Sequence, residues 1–318
     1  MGAKTLGTRD IIGRYYLALE QLIGKSWVDL VSMMFDSDQE SETYNWLGQA
    51  PAMREWIGGR NAKGFRENGI TIVNKHFEAT QDVLTKYLRR DKTGQLDVRI
   101  DELAGRTVSH WASLLSTLIT NGTGATSGLC YDGQYYFDSD HSEGESGTQK
   151  NLITATEVTA LNVTTPAAPT ATEAIAAILG VIAYMLNYKD DQGEPMNSEA
   201  RRFLIMTSPA LWARLTPATV ASQVTSGETN VIKELEKDGF KVSVVPNARL
   251  TYTTQFVTFR TDSKLPGLIR QNETEPEVKI LGPGSDYEFN NAAWQVGVDA
   301  WRNVAYGYWQ FASHSTFS

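Results

Sequence analysis

Cysteine is nearly absent: Cys130 is the only one in 318 residues, which excludes intrachain disulfides and cysteine-rich zinc sites. Histidine is scarce as well, with four residues, and His76, His110 and His314 share no metal-ligand spacing. No segment approaches the roughly 20 uninterrupted apolar residues that a membrane helix needs. The stretch from Met1 to Asp10 lacks the apolar run of a secretory signal, so a soluble, intracellular chain is expected. Basic residues are in deficit, 29 against 37 acidic ones, for a formal net charge of −8. No basic block exceeds Arg89-Arg90, whereas a module that grips nucleic acid carries a basic footprint. What remains is an ordinary globular composition, 41% apolar and 10% aromatic. It can bury a sizeable core as one large domain or two intimately connected ones.

The order of elements is partly legible. Ile11, Ile12, Tyr15, Leu19, Leu22 and Ile23 fall close to helical spacing, with Thr8 as candidate cap and Gly24 as candidate stop. A helix at that position either packs on its own domain or reaches across to a neighbouring subunit. Residues 41–72 then place Trp46 and Trp56 among Gly48, Gly58, Gly59, Gly64 and Gly69, a glycine density that argues against one regular element. Either this segment folds back on its own core, or its aromatics are buried by a partner. A fully buried Trp removes about 150–250 Å² from water, a gross ~4–6 kcal/mol at ~25 cal/mol per Å². The segment offers little with which to bury two such rings on its own, which favours the partner. Ile70 to Val73 reads as a strand that continues towards Phe77, and Thr80 to Arg90 as a short helix.

The strongest periodicity follows. Leu96, Ile100, Leu103, Trp111, Leu114, Leu115 and Leu118 recur at steps of three and four, predicting a long helix over 97–120 with Asn121-Gly122 as its stop. Beyond it, 121–147 is rich in Gly, Ser, Thr and Asp, and 154–172 reads as an exposed connection. A helix over 172–188, a strand at 203–206, a helix opened by Ser208-Pro209, a helix from Asn230 and a strand at 240–245 then alternate like an α/β layer. The close, 293–311, alternates like β-strands.

Catalytic readings fare poorly. Cys130 with His141 and Asp138 or Asp140 suggests a cysteine hydrolase, but a thiolate needs a base within hydrogen-bond reach and an oriented third group. A buried apolar thiol beside a polar turn is the simpler reading. Asp132, Asp138, Asp140 and His141 do not follow the oxygen-ligand spacing of a calcium loop. Gly122-Thr123-Gly124 follows a helix rather than a strand, the wrong context for a dinucleotide loop, and Asp190-Asp191 falls in a turn. No catalytic, cofactor-binding or metal-binding residue is assigned.

Several stretches resemble the major head subunit of Mu-like phages. They are Thr43-Tyr44-Asn45-Trp46-Leu47-Gly48, Arg54-Glu55-Trp56-Ile57-Gly58, Ile72 to Thr80 (IVNKHFEAT), Cys130 to His141 (CYDGQYYFDSDH) and the close Tyr306-Gly307-Tyr308-Trp309-Gln310. The resemblance covers the first half of the chain well and the second half loosely. It implies an α+β chain with the Hong Kong 97-type capsid fold. Its parts would be an N-terminal arm (1–40), an extended loop (41–72), a peripheral sheet domain (73–171) with the spine helix, an axial α/β domain (172–284), and C-terminal strands returning to the peripheral domain (285–318).

The implied function is that of a major capsid protein with no enzymatic activity. It would assemble as a homo-oligomer of hexamers and pentamers into the icosahedral head of a tailed phage or prophage. That head encloses double-stranded DNA without sequence-specific binding or membrane contact. A separate scaffold, a maturation protease, a portal and a decoration protein are the implied partners, with assembly in the bacterial cytoplasm and residence in the virion. Trp46, Leu47, Trp56, Ile57, Phe65, Tyr15 and Tyr16 are the expected assembly-interface residues. An encapsulin-like nanocompartment shell of the same fold is the alternative, with a tail or minor virion component as a third.

Overall fold

The computed structural model describes residues 7–22, 26–45, 69–90, 94–223, 227, 229–264 and 267–318. Helix α1 (Thr8–Leu22) leads through the short α2 (Val28–Val31) into strand β1 (Ser32–Asp36). Thr8 already lies in the helix, and the Gly7 N–H donates to Asp10 Oδ2 at 3.1 Å. The capping expected of Thr8 thus falls to a carboxylate three residues on, facing the positive end of the helix. Gly24 lies outside the described residues.

Strands β2 (Ser41–Tyr44) and β3 (Ile70–Val73) pair antiparallel, and β4 (Lys75–Leu84) and α3 (Thr85–Arg90) follow. The helix expected from Thr80 therefore begins only at Thr85. Residues 80–84 pair one by one with 297–293, so a distant strand overrides the helical spacing of Val83, Leu84, Tyr87 and Leu88.

The expected spine is helix α4 (Gln95–Thr120), about 39 Å long at ~1.5 Å per residue, capped by Asn121. At its end the polar segment carries only short strands, β5 (His141–Ser142), β6 (Thr148–Gln149) and β7 (Leu152–Ile153). The segment over 154–172, expected to be exposed, buries Val158, Leu161 and Val163, because a single 3-10 turn at Thr159–Leu161 packs onto the next helix. That helix, α5 (Ala171–Leu186), opens on Thr170 and Glu173, whose side chains each accept from the other's backbone N–H.

Strand β8 (Arg202–Thr207), helix α6 (Pro209–Val220), helix α7 (Val231–Lys237) and strand β9 (Lys241–Pro246) follow as the sequence suggests. The α6 cap differs in detail: the Ser208 hydroxyl donates to the Tyr252 carbonyl instead of accepting from its own helix. Strands β10 (Gln255–Arg260), β11 (Leu268–Asn272) and β12 (Glu277–Leu281), helix α8 (Asp286–Asn291), and strands β13 (Ala293–Tyr306) and β14 (Ala312–Thr316) complete the chain.

Two sheets organise these elements. In the first, β13 is the hub: β4 pairs along one edge, while β12 and β11 share the other, end to end, with β1 parallel to β11. The second runs β7-β14-β10-β8-β9 and carries the continuously buried strand β8. The C-terminal segment divides between the two sheets. β13 joins the first sheet, but the buried 3-10 turn Trp309–Phe311 redirects the chain and β14 enters the second sheet between β10 and β7. β11 and β12, inside the expected axial segment, pair in the first sheet.

Helix α4 spans both apolar cores. Leu96, Ile100 and Ala104 pack with Ile11 and Tyr15 of α1 and with Trp294, Val296 and Val298 of the first sheet. About two turns further along, Ala112, Leu115, Leu118 and Ile119 enter the larger core built on α5 and the second sheet.

Candidate assembly surfaces

The β2/β3 ribbon is the stem from which residues 46–68 depart and to which they return. Buried Gln271 of β11 clamps it. The Tyr44 hydroxyl donates to Gln271 Oε1 at 2.8 Å, and Gln271 Nε2 donates to the Ile72 carbonyl at 3.2 Å and Asn74 Oδ1 at 2.8 Å. Asn74 Nδ2 in turn donates to the Gln39 carbonyl at 2.8 Å. Ile72 and Tyr44 are buried in the larger core, so the stem belongs to the body of the subunit. Burial and the neighbouring Glu42 push the Tyr44 hydroxyl up to about 12, which keeps it a neutral donor. Trp46, Leu47, Trp56, Ile57 and Phe65 all lie outside the described residues.

Helix α1 settles one open question against its having only an arm's role. Arg14 straps it to α4 through Asp101, donating from Nε at 2.9 Å and from an Nη at 2.6 Å, and the Tyr15 hydroxyl donates to Thr107 Oγ1 at 2.9 Å. Tyr15 is 1% exposed within its own chain. Its expected place in an interface between subunits is therefore corrected: the ring faces α4 because the Ile11–Tyr15 spacing puts it on the apolar stripe. Tyr16, one residue on, stands against Tyr15 edge-to-face and is 42% exposed, with its hydroxyl on the Pro276 carbonyl. Leu17, Leu30, Met33 and Phe289 are further exposed large apolar side chains. Sequence reasoning missed them because isolated apolar residues on short elements have no periodic signature.

The Cys130 region is a lock, not a catalytic site. His141 Nδ1 lies 2.6 Å from Asp132 Oδ2, and its ring stacks on Trp309 with centroids 4.1 Å apart. The partner carboxylate is thus Asp132 in place of Asp138 or Asp140, and neither His141 nitrogen reaches the thiol. Cys130 Sγ donates instead to the Gly307 carbonyl at 3.5 Å, and burial pushes the thiol well above its ordinary value. An unactivated thiol that is held protonated is no nucleophile at neutral pH. Asn151 completes the lock, its Nδ2 donating to the Tyr136 carbonyl at 2.7 Å while its Oδ1 accepts from the Asp138 N–H at 2.8 Å. Among the described residues no group of three or more His, Cys, Asp or Glu could hold a metal ion. No described helix is long and apolar enough to cross a membrane.

A spine helix bridging a hub-stranded sheet and an α/β layer, with a ribbon projecting from the first sheet, is the Hong Kong 97-type capsid fold. The chain overlays on the procapsid protein of bacteriophage JBD30 with a TM-score of 0.53 at 20% identity, over 96% of this chain and 73% of that one. Residues 14–165 match the family described as Mu-like prophage major head subunit gpT. Within it the chain is 33% identical over 130 residues to the Mu-like prophage FluMu major head subunit of Haemophilus influenzae, 41% of either chain. It is 31% identical over 111 residues to the major capsid protein of Escherichia phage Mu, 35% of either chain. The matched stretch thus spans about two-fifths of these curated relatives or less.

Proposed function

We propose that this chain is the major capsid protein of a tailed bacteriophage or prophage, assembling as hexamers and pentamers into an icosahedral head around double-stranded DNA. One observation carries the reading: the head-subunit family match runs from α1 through the β2/β3 stem and the spine helix, inside a capsid fold that covers nearly the whole chain. An acidic wall of net charge −8 suits a container that must not cling to its contents. Residues 41–72 act as the extended loop over a neighbouring subunit, with Trp46, Leu47, Trp56, Ile57 and Phe65 as its anchors and Tyr16 on the adjoining exposed face of α1. A separate scaffold, maturation protease and portal, with a decoration protein outside, complete the head, which forms in the bacterial cytoplasm. Stability is then collective, many modest contacts per subunit multiplying around a closed shell.

Negative-stain microscopy of the protein expressed alone and with its neighbouring genes tests this. Closed shells or capsomer rings are expected. A monodisperse monomer at high concentration in both cases contradicts the reading, and shells filled with protein cargo and devoid of DNA point to a nanocompartment.

A further inference from the structure

Strand β4 is an edge of the first sheet. All 10 of its residues pair with β13 in unbroken register, and among the described residues no strand takes its other side. The Thr85 N–H donates to the Ala292 carbonyl at 2.9 Å, which fixes the phase of the ladder. Odd-numbered residues therefore bond β13, while His76, Glu78, Thr80, Asp82 and Leu84 turn their backbone N–H and C=O groups outward. Among the described residues no hydrogen bond reaches those outward groups. A long edge is normally shortened, bulged, covered or interrupted by proline. β4 shows none of these devices. Its odd side chains turn towards the spine, Phe77 meeting His110 of α4 edge-on at 4.5 Å, yet Ala79 on that same side is exposed.

We propose that β4 pairs antiparallel with β4 of a second copy, about a two-fold axis through Ala79, joining two first sheets into one. The choice of partner rests on the reading of the chain as a shell subunit, in which copies are held side by side. Charge sets the register. With the axis at Ala79, His76 lies opposite Asp82 and Glu78 opposite Thr80 at both ends, and about eight backbone hydrogen bonds form. Centring the axis on Glu78 would oppose that carboxylate to itself, and centring it on Thr80 would oppose Glu78 to Asp82. Both are like-charge pairs, which destabilise a sheet. Centring it on Gln81 leaves His76 unpaired and sets Leu84 against Glu78. Ala79 is also the smallest side chain of the strand, so it admits the close ~4.5 Å Cα approach of a non-hydrogen-bonded pair on the axis. Odd residues meet odd ones throughout, which keeps both spine helices on one face of the joined sheet.

Cysteine crosslinking of the full chain tests the pairing, the native Cys130 being buried. In mildly oxidised particles, Ala79→Cys should link to its own counterpart and give mostly dimers on a non-reducing gel, because the two Cα atoms fall within disulfide range. His76→Cys, which lies opposite Asp82 in this register, should stay monomeric. Thr80→Pro removes an outward N–H and no bond to β13, a change that an edge strand tolerates. Its circular-dichroism melting curve should hold while particle yield falls about tenfold or more, since modest contacts multiply around a closed shell. Particles in which Ala79→Cys links no better than His76→Cys overturn the pairing, as does parental yield from a folded Thr80→Pro. Where Thr80→Pro does not fold, the crosslink alone decides. Should the parent form no particles, the shell reading fails, and the same crosslink on the soluble chain at high concentration decides the pairing separately: dimers retain it and monomers remove it.

Discussion

Gln271 shows how much a single buried amide can organise. It is fully buried, and its side chain meets the Tyr44 hydroxyl, the Ile72 carbonyl and the Asn74 side chain. Replacing it with Met keeps the volume but removes all three of those hydrogen bonds, at about 1–3 kcal/mol for each buried group truly orphaned. Gln271→Met should therefore lower stability by about 2–4 kcal/mol in chemical denaturation. Amide hydrogen exchange should speed up in β2 and β3 ahead of the second sheet.

Histidine sets an acid limit. Burial pulls both His314, wedged between Phe137 and Tyr252, and His110, which also feels Arg302, from 6.5 down to about 4. The unfolded chain binds more protons than the folded one between those values, so stability is complete above about pH 6.5 and falls as pH drops towards 4. A full shift of that size is worth on the order of 3 kcal/mol for one residue. His314→Phe suits the aromatic surroundings, and should flatten the melting-temperature profile over that window by roughly half, His110 keeping its share. Glu173, held down to about 2 by donors from Thr164 and Thr170, adds a separate loss between about 4.5 and 2. An unchanged profile in His314→Phe would mean the ring is already protonated in the fold.

At the scale of elements, α5 illustrates a conflict between propensity and packing. Gly180 sits in the middle of this helix, where Ala would gain about 1 kcal/mol of intrinsic stability. A Cβ there would lie 2.7 Å from Val158 Cγ1, a stiff branched side chain of the segment packed on the helix. Overpacking of that kind costs about 1–3 kcal/mol and wins. Gly180→Ala should therefore destabilise by about 1 kcal/mol in urea titration, and a gain in stability would show that the segment can move aside.

Helix α4 carries the larger consequence. Because its two halves enter different cores, it transmits the position of the first sheet to the α/β layer as a rigid strut. Its stripe was legible because seven apolar residues keep one spacing over six turns. β4 was not, since the alternation of Gln81 and Val83 is short and acquires meaning only beside β13.

For the whole molecule, the prediction turns on division of labour. The described body has its own cores and its own stem clamp, so it can fold without the aromatics at 46 and 56. Trp46→Ala and Trp56→Ala should each reduce particle yield severely while leaving the circular-dichroism melting curve nearly unchanged. Equal loss of folding and assembly would place both rings inside their own chain and remove the loop's proposed role.

Sequence alone determined the elements whose signal is local and repeated: the α1 and α4 stripes, the start of a helix at Asn230, the buried run of β8, and the order of head-subunit motifs. Side-chain spacing along one chain is enough to mark a helix or a strand. Tertiary structure decided the partners: β14 in the second sheet, Tyr15 inward on α4, Asp132 with His141, and two arginines meeting over Trp111. Apart from the Asp132–His141 pair, nine residues apart, those choices depend on which surfaces distant in sequence come to share an interior, as with Tyr15 and Thr107 at a separation of 92 residues. No local pattern encodes that distance, because burial is a property of the assembled core and not of any segment within it.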